Sequence, residues 1–159
     1  VMNADGSEVR QLTNTNSNDY RPAWSPDGNQ IAFDSTAGDG HNIFVMNADG
    51  TEVRQLTNSP WSSAFSPDWS PDGNQIAFQN TVDIGAEIFV MNADGSEVRQ
   101  LTNNDDEDWS PTWSPDGNQI AFQSDRYGGF ADWEIFVMNA DGTDVYSTGQ
   151  KGEEPVWGG

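Results

Sequence analysis

The chain has 159 residues, 26 Asp and Glu against 6 Lys and Arg, a formal net charge of -20, and no Cys. Such a surface repels polyanions, so nucleic acid is excluded as a partner. The absence of Cys excludes a disulfide framework and thiolate metal sites. No stretch approaches the roughly 20 apolar residues that a helical membrane span needs, while 7 Trp, 8 Phe and 16 Gly give a one-domain chain enough apolar material to fold.

In chain order, the first block is VMNADG at Val1, followed by EVRQLTN from Glu8; we read these as a strand c and a strand d, the latter over Glu8 to Thr13. WSPDGNQIAF then occurs unchanged at Trp24, Trp69 and Trp113, in steps of 45 and 44. VMNADG returns at Val45, Val90 and Val137, and EVRQLTN at Glu52 and Glu97. A period near 45 is the length of a propeller blade or a solenoid unit. Pro, Asp-Gly and Asn every ten or so residues leave no room for ordinary helices, so the unit is all β.

Within one unit, strand a runs through Ala23 and Trp24, strand b over Gln30 to Asp34, strand c over Asn42 to Asn47 and strand d over Glu52 to Thr57. Pro26-Asp27-Gly28 turns a into b and Asp49-Gly50 turns c into d, with Gly supplying the positive φ of tight turns. Strand c places Ile43 and Val45 on one face and Phe44 and Met46 on the other, so both faces want burial. Blades sandwiched between neighbours satisfy that demand; a two-layer sandwich does not. The last strand d, Val145-Tyr146-Ser147-Thr148, has lost the ArgGlnLeuThr of the earlier copies. Glu154-Pro155-Val156-Trp157 aligns with Arg21-Pro22-Ala23-Trp24 as a further strand a.

The strings PxWSPDGxxIAF and IFVMNADGxxVRQLT resemble the TolB-type β-propeller repeat, a relative of the WD-type blade. The resemblance implies an all-β propeller of four-stranded blades in a single repeat array over residues 1–159. Three repeats are complete, and a fourth is split into c and d at the amino end and a at the carboxyl end. It implies a bacterial or archaeal protein outside the cytoplasm, in the periplasm, at the cell surface or secreted. It does not fix function, because propellers host unrelated roles.

Two function classes stand against each other. One is a non-catalytic scaffold for protein interaction or self-assembly. The other is the propeller portion of a larger peptidase or polysaccharide-degrading enzyme, or a TolB-like periplasmic binding protein. No GxSxG, HExxH, P-loop or GxGxxG is present and His41 is the only His, so no catalytic residues are assigned and no cofactor is required.

The a-b and c-d turns are uniform, whereas the d-a and b-c loops differ between repeats and share one side of a propeller. Those loops carry Tyr20, His41, Trp61, Phe65, Trp109, Tyr127, Phe130 and Trp133, a candidate binding face for another protein or a glycan. Tyr20, Phe65 and Trp109, each four residues before a repeat Trp, have an alternative role in sealing blade to blade. Asp27, Asp72 and Asp116, with Arg10, Arg54 and Arg99, recur once per repeat and read as structural caps or ion pairs. Calcium, a hard cation, is the metal that Asp39, Asp105, Asp106, Glu107, Asp108 and Asp125 would take in the acidic loops. The two ends, Val1, Met2, Val9 and Leu12 against Pro155, Val156 and Trp157, are complementary halves of one blade. They predict head-to-tail or ring-closing self-association unless further blades of a longer chain supply the missing strands.

Overall fold

A computed structural model describes residues 1–58, 63–82, 85–127 and 132–157. These form three antiparallel four-stranded sheets and, among the described residues, no helix. The first blade comprises β1 (Asp19–Trp24), β2 (Gln30–Ser35), β3 (Asn42–Asn47) and β4 (Arg54–Gln55). The second comprises β5 (Ala64–Trp69), β6 (Gln75–Val82), β7 (Gly85–Asn92) and β8 (Arg99–Gln100). The third comprises β9 (Asp108–Trp113), β10 (Gln119–Ser124), β11 (Glu134–Asn139) and β12 (Tyr146–Lys151). In each, strand order follows the sequence, as hairpin connections demand.

The uniform turns explain the register. Asp27 accepts hydrogen bonds from Ser25 Oγ (2.6 Å) and Asn29 N (3.0 Å), and Asp72 and Asp116 repeat both contacts. These donors favour the carboxylate, so all three groups are held below the usual range, Asp116 at about 2. The repeated Asp is thus a turn cap. Hydrogen bonds from Thr51, Ser96 and Thr143 hold the c-d turn carboxyls of Asp49, Asp94 and Asp141 below the usual range, and Arg10, Arg54 and Arg99, each one blade back, add a smaller push in the same direction.

Strand d is shorter than its sequence promised. Ile43 O accepts both Leu56 N (2.8 Å) and Thr57 N (3.4 Å), and Thr57 Oγ1 takes over as acceptor for Ile43 N (2.9 Å). A side chain therefore replaces the backbone ladder after two residues. Residues 1–13 are not a strand pair either. Val1 and Arg10 exchange both backbone bonds (2.8 and 2.9 Å) around an Asn3-to-Ser7 turn, so the expected c-d hairpin survives as a single rung. In β12, which lacks the ArgGlnLeuThr string, pairing instead continues to Lys151.

Blades stack through their cores. Ala32, Ile43 and Val45 of the first pack against Trp69, Ile76, Phe78, Phe89 and Met91 of the second. Ala77, Ile88 and Val90 of the second meet Trp113, Ile120, Phe122, Phe136 and Met138 of the third in the same way. Each fully buried aliphatic or Phe side chain contributes about 1.5–3 kcal/mol. So both faces of strand c are used, as its double apolar stripe required.

A second contact recurs at the outer rim. A Cβ on Gly50, Gly95 or Gly142 would lie 3.1, 3.2 or 3.0 Å from the carbonyl oxygen of Leu12, Leu56 or Leu101 in the preceding blade. Leu12 thereby places the amino-terminal hairpin as the outer half of a blade ahead of the first.

Candidate functional site

Strand a of every blade carries the feature that organises the site. Arg21, Ser66 and Ser110 adopt left-handed backbone (φ 46, 52 and 53°), each followed by Pro, and the ladder shifts register there. Such bulges re-aim the chain and cost about 1–3 kcal/mol at a non-Gly residue. The bend turns an N–H toward the preceding blade, where it is satisfied: Ser66 N donates to Asp34 Oδ1 (3.3 Å) and Ser110 N to Gln79 Oε1 (3.0 Å). Glu154 repeats the motif at φ 50°, its N–H donating to Gln123 Oε1 (2.7 Å). Residues 154–157 therefore dock against the third blade in the place of a next strand a, although they form no strand ladder.

These four segments line one axial cavity of about 380 Å³, with Arg21, Asp68 and Glu154 as its charged side chains. Asp68 Oδ2 accepts Trp113 N at 2.7 Å, and burial pushes its carboxyl up. Tyr20 and Phe65, expected in loops, lie within β1 and β5, and the loop before β3 brings His41 to them. His41 lies 4.6 Å from Phe65 and 6.1 Å from Tyr20, centroid to centroid, and the Arg21 guanidinium sits 5.6 Å over the Phe65 ring. Asp34, fully buried, holds Arg21 Nη1 at 3.1 Å and lies 3.8 Å from His41 Nδ1. Three of the expected binding residues, Tyr20, His41 and Phe65, are thus brought together, with Tyr20 45% exposed.

The others fall apart from them. Trp109 and Trp133 tilt against each other at 5.9 Å within the third blade, with Trp109 Nε1 buried and unpartnered. Tyr127 packs at 5.6 Å on Phe136. Trp61 and Phe130 lie outside the described residues. Sequence reading missed Arg21 and Asp34. The signal was their departure from the repeat: Ser66 and Ser110 stand where Arg21 does, Gln79 and Gln123 where Asp34 does.

The acidic loop is built around buried polar bonds. Glu87 accepts Thr102 Oγ1 (2.6 Å) and Asn104 N (2.8 Å). Asp108 accepts Arg126 Nη2 (2.6 Å) and Asn104 Nδ2 (2.8 Å) on Oδ2. Arg126 in turn lies over Phe122 and Phe136. Burial, with Asp108 beside it, pushes the Glu87 carboxyl up. Asp106 N is held by Asn104 Oδ1 (2.9 Å) and Glu107 N by Asp125 Oδ1 (2.9 Å), while Asp39 and Asp105 are exposed. Among the described residues, no three His, Cys, Asp or Glu side chains converge as a metal site.

Of the expected assembly residues, Leu12 is already packed on the first blade, and Val9 is exposed, as its repeat counterparts Val53 and Val98 also are. Met2 and Val156 are exposed and Trp157 is docked, its Nε1 donating to Thr112 O at 3.1 Å; Val1 and Pro155 flank them.

The family model described as the TolB beta propeller domain matches residues 58–158. The chain belongs to the TolB β-propeller domain family. Solved relatives agree with this TolB-type fold. A TolB from Agrobacterium tumefaciens superposes with a TM-score of 0.75 at 29% identity, over 86% of this chain and 50% of that one. TolB from Acinetobacter baumannii gives 0.78 at 24% identity, over 92% and 36%. Among curated proteins, dipeptidyl-peptidase 5 of Porphyromonas gingivalis is 53% identical over 38 residues, 24% of this chain and 6% of the peptidase. The chain thus spans half or less of the length of each of these relatives. Among the described residues no helix is long and apolar enough to cross a membrane.

Proposed function

We propose that this TolB-type array is a non-catalytic, extracytoplasmic scaffold that binds other proteins through its variable-loop side. The observation that carries the reading is the Tyr20–His41–Phe65 row, with Arg21, which lines the axial cavity, fixed beside it by buried Asp34. Aromatic and Arg side chains on rigid strands are what hot spots are made of. The net charge of -20 steers basic partners toward it, strongly at low salt and weakly at high salt.

The test uses the chain as immobilised bait for the proteins of an extracytoplasmic extract, compared with Tyr20→Ala and Phe65→Ala. Retained proteins should be lost from both variants while far-UV circular dichroism is unchanged. Retention that ignores both substitutions would contradict the assignment of this face.

The match to dipeptidyl-peptidase 5 favours a second reading, in which these blades are the propeller portion of a larger peptidase. Under either reading, the 159-residue chain leaves chromogenic dipeptide substrates intact and takes no label from serine-hydrolase probes. Turnover by the chain itself would overturn both.

A further inference from the structure

Glu87 and Asp108 meet where the second blade joins the third, and the joint between the first two blades holds no such pair. There, Asn42 and Ala64 stand where Glu87 and Asp108 do, an amide and a methyl group. Both carboxyls are out of water: Glu87, near the start of β7, is 1% exposed, and Asp108, the first residue of β9, is 0% exposed. They stand within hydrogen-bonding reach of each other, and Asn104 Nδ2 spans them, 3.3 Å from Glu87 Oε2 and 2.8 Å from Asp108 Oδ2.

Their partners do not balance. Asp108 Oδ2 receives Arg126 as well as Asn104, whereas Asp108 Oδ1 is buried with no hydrogen-bond partner among the described residues. Two carboxylates beside one guanidinium leave a buried negative charge uncompensated, which surroundings of low dielectric penalise heavily. The elements around β7 do not correct this. It packs against β6, β8 and β9. β6 carries no titratable side chain, Arg99 of β8 acts on Asp141, and β9 brings Asp108 alone. The flanking loops add more acid: Glu107 Cγ lies 3.6 Å from a Cβ built on Gly85, Asp125 Oδ1 accepts Glu107 N, and Asp106 N is held by Asn104. Arg126 is the only cation paired with either carboxyl among the described residues.

A single proton answers both deficits. Placed on Glu87 it makes an O–H, for which Asp108 Oδ1 is the free acceptor, and it removes the second charge. Burial raises the Glu87 carboxyl more than the bonds from Asn104 and Thr102 lower it, and Asp108 adds to the rise.

We infer that Glu87 and Asp108 hold one proton between them and so form an acid-closed latch between the second and third blades. Closed, Glu87 donates to Asp108 Oδ1 and still accepts Asn104 N (2.8 Å) and Thr102 Oγ1 (2.6 Å), which ties the acidic loop 103–107 to β7. As pH rises through the elevated Glu87 value, the proton leaves to solvent and the two carboxylates repel. Asn104, bonded to both, then releases the loop. The direction follows from the sign of the shift: a carboxyl raised on folding stabilises the closed joint fully below 4.5 and loses that contribution as pH rises. The latch goes beyond the scaffold reading and stands without it.

The test is an NMR titration of the side-chain carboxyl carbons in the full chain, from acid to neutral pH, with Glu87→Gln alongside. In the wild type, Glu87 and Asp108 should shift together in one step whose midpoint lies above 4.5. In Glu87→Gln that step should vanish from Asp108, with far-UV circular dichroism unchanged. Hydrogen exchange of residues 103–107, corrected for its intrinsic pH dependence, should accelerate about tenfold toward neutral pH in the wild type and stay level in the variant. A Glu87 step to which Asp108 is silent, or loop exchange with the same pH profile in both chains, would overturn the inference. If Glu87→Gln does not fold, the wild-type titration decides on its own.

Discussion

The indole Nε1 of Trp69 lies 3.2 Å from the carbonyl oxygen of Ala23, tying the inner edge of the second blade to that of the first. Because the ring also fills the joint beside Ile43 and Val45, Trp69→Ala should cost about 3–5 kcal/mol. Trp69→Phe, which keeps most of the ring and loses the donor, should cost about 1 kcal/mol. Trp24→Ala removes a ring that is 51% exposed and should cost about 1 kcal/mol. Urea midpoints of the three variants give this order directly; equal losses for Trp24 and Trp69 would show that the blade joint is not where the indole acts.

Gly6 and Gly95 occupy the same turn at φ 82° and 90°, but only Gly95 has a backbone oxygen, that of Leu56, 3.2 Å from a would-be Cβ. Ala at Gly6 incurs the left-handed penalty alone, about 1–2 kcal/mol. Gly95→Ala adds displacement of the second blade's rim from Leu56 of the first blade, so its thermal midpoint should fall clearly further. Equal shifts would contradict the close approach.

Asp34 has two tasks, accepting Ser66 N across the joint and holding Arg21 within the first blade. Asp34→Asn keeps an acceptor, as Gln79 and Gln123 do in the later blades, and should cost about 1–2 kcal/mol for the lost charge partner. Asp34→Ala leaves Ser66 N without its acceptor while the half-exposed Arg21 turns to water, and should cost about 2–3 kcal/mol. A denaturant series on the two variants, with Arg21→Ala as partner in a double-mutant cycle, separates the tasks.

Glu87 supplies the pH prediction. Burial raises its carboxyl above the reference of 4.5, so the folded state holds this proton more tightly than the unfolded chain does. Its contribution is therefore fully present below pH 4.5 and is lost as pH rises through the elevated folded value. Glu87→Gln abolishes that slope and offers an amide N–H toward Asp108, whose Oδ1 is buried without a partner. Relative to wild type, the variant should gain in thermal midpoint between acid and neutral pH. A growing deficit toward neutral pH would contradict the direction of the shift.

The strands and turns were legible in the sequence because the repeat states them several times over. Gln30 to Asp34 and Asn42 to Asn47 are strands as read, give or take Ser35, and Asp27 caps its turn as expected. What the pattern could not state was anything depending on contacts 30 to 45 residues away. The bend at Arg21 and Ser66 is hidden in an unremarkable X-Pro pair, since a residue before Pro is usually extended. Only the facing acceptor one blade back explains it. The truncation of strand d likewise needs the Thr57 hydroxyl to compete with the ladder. The aromatic face was legible as a list but not as a grouping: loop position predicted that Tyr20, His41 and Phe65 could meet, and equally predicted Trp109 beside them, which packs on Trp133 instead.

Backbone hydrogen exchange read by mass spectrometry, with and without the proteins that the immobilised chain retains, tests the scaffold reading most directly. We predict that β1 (Asp19–Trp24) and the segments carrying His41 and Phe65 gain protection on binding, while β12 (Tyr146–Lys151) stays unchanged. Protection that spares β1 and the His41 and Phe65 segments would contradict the reading.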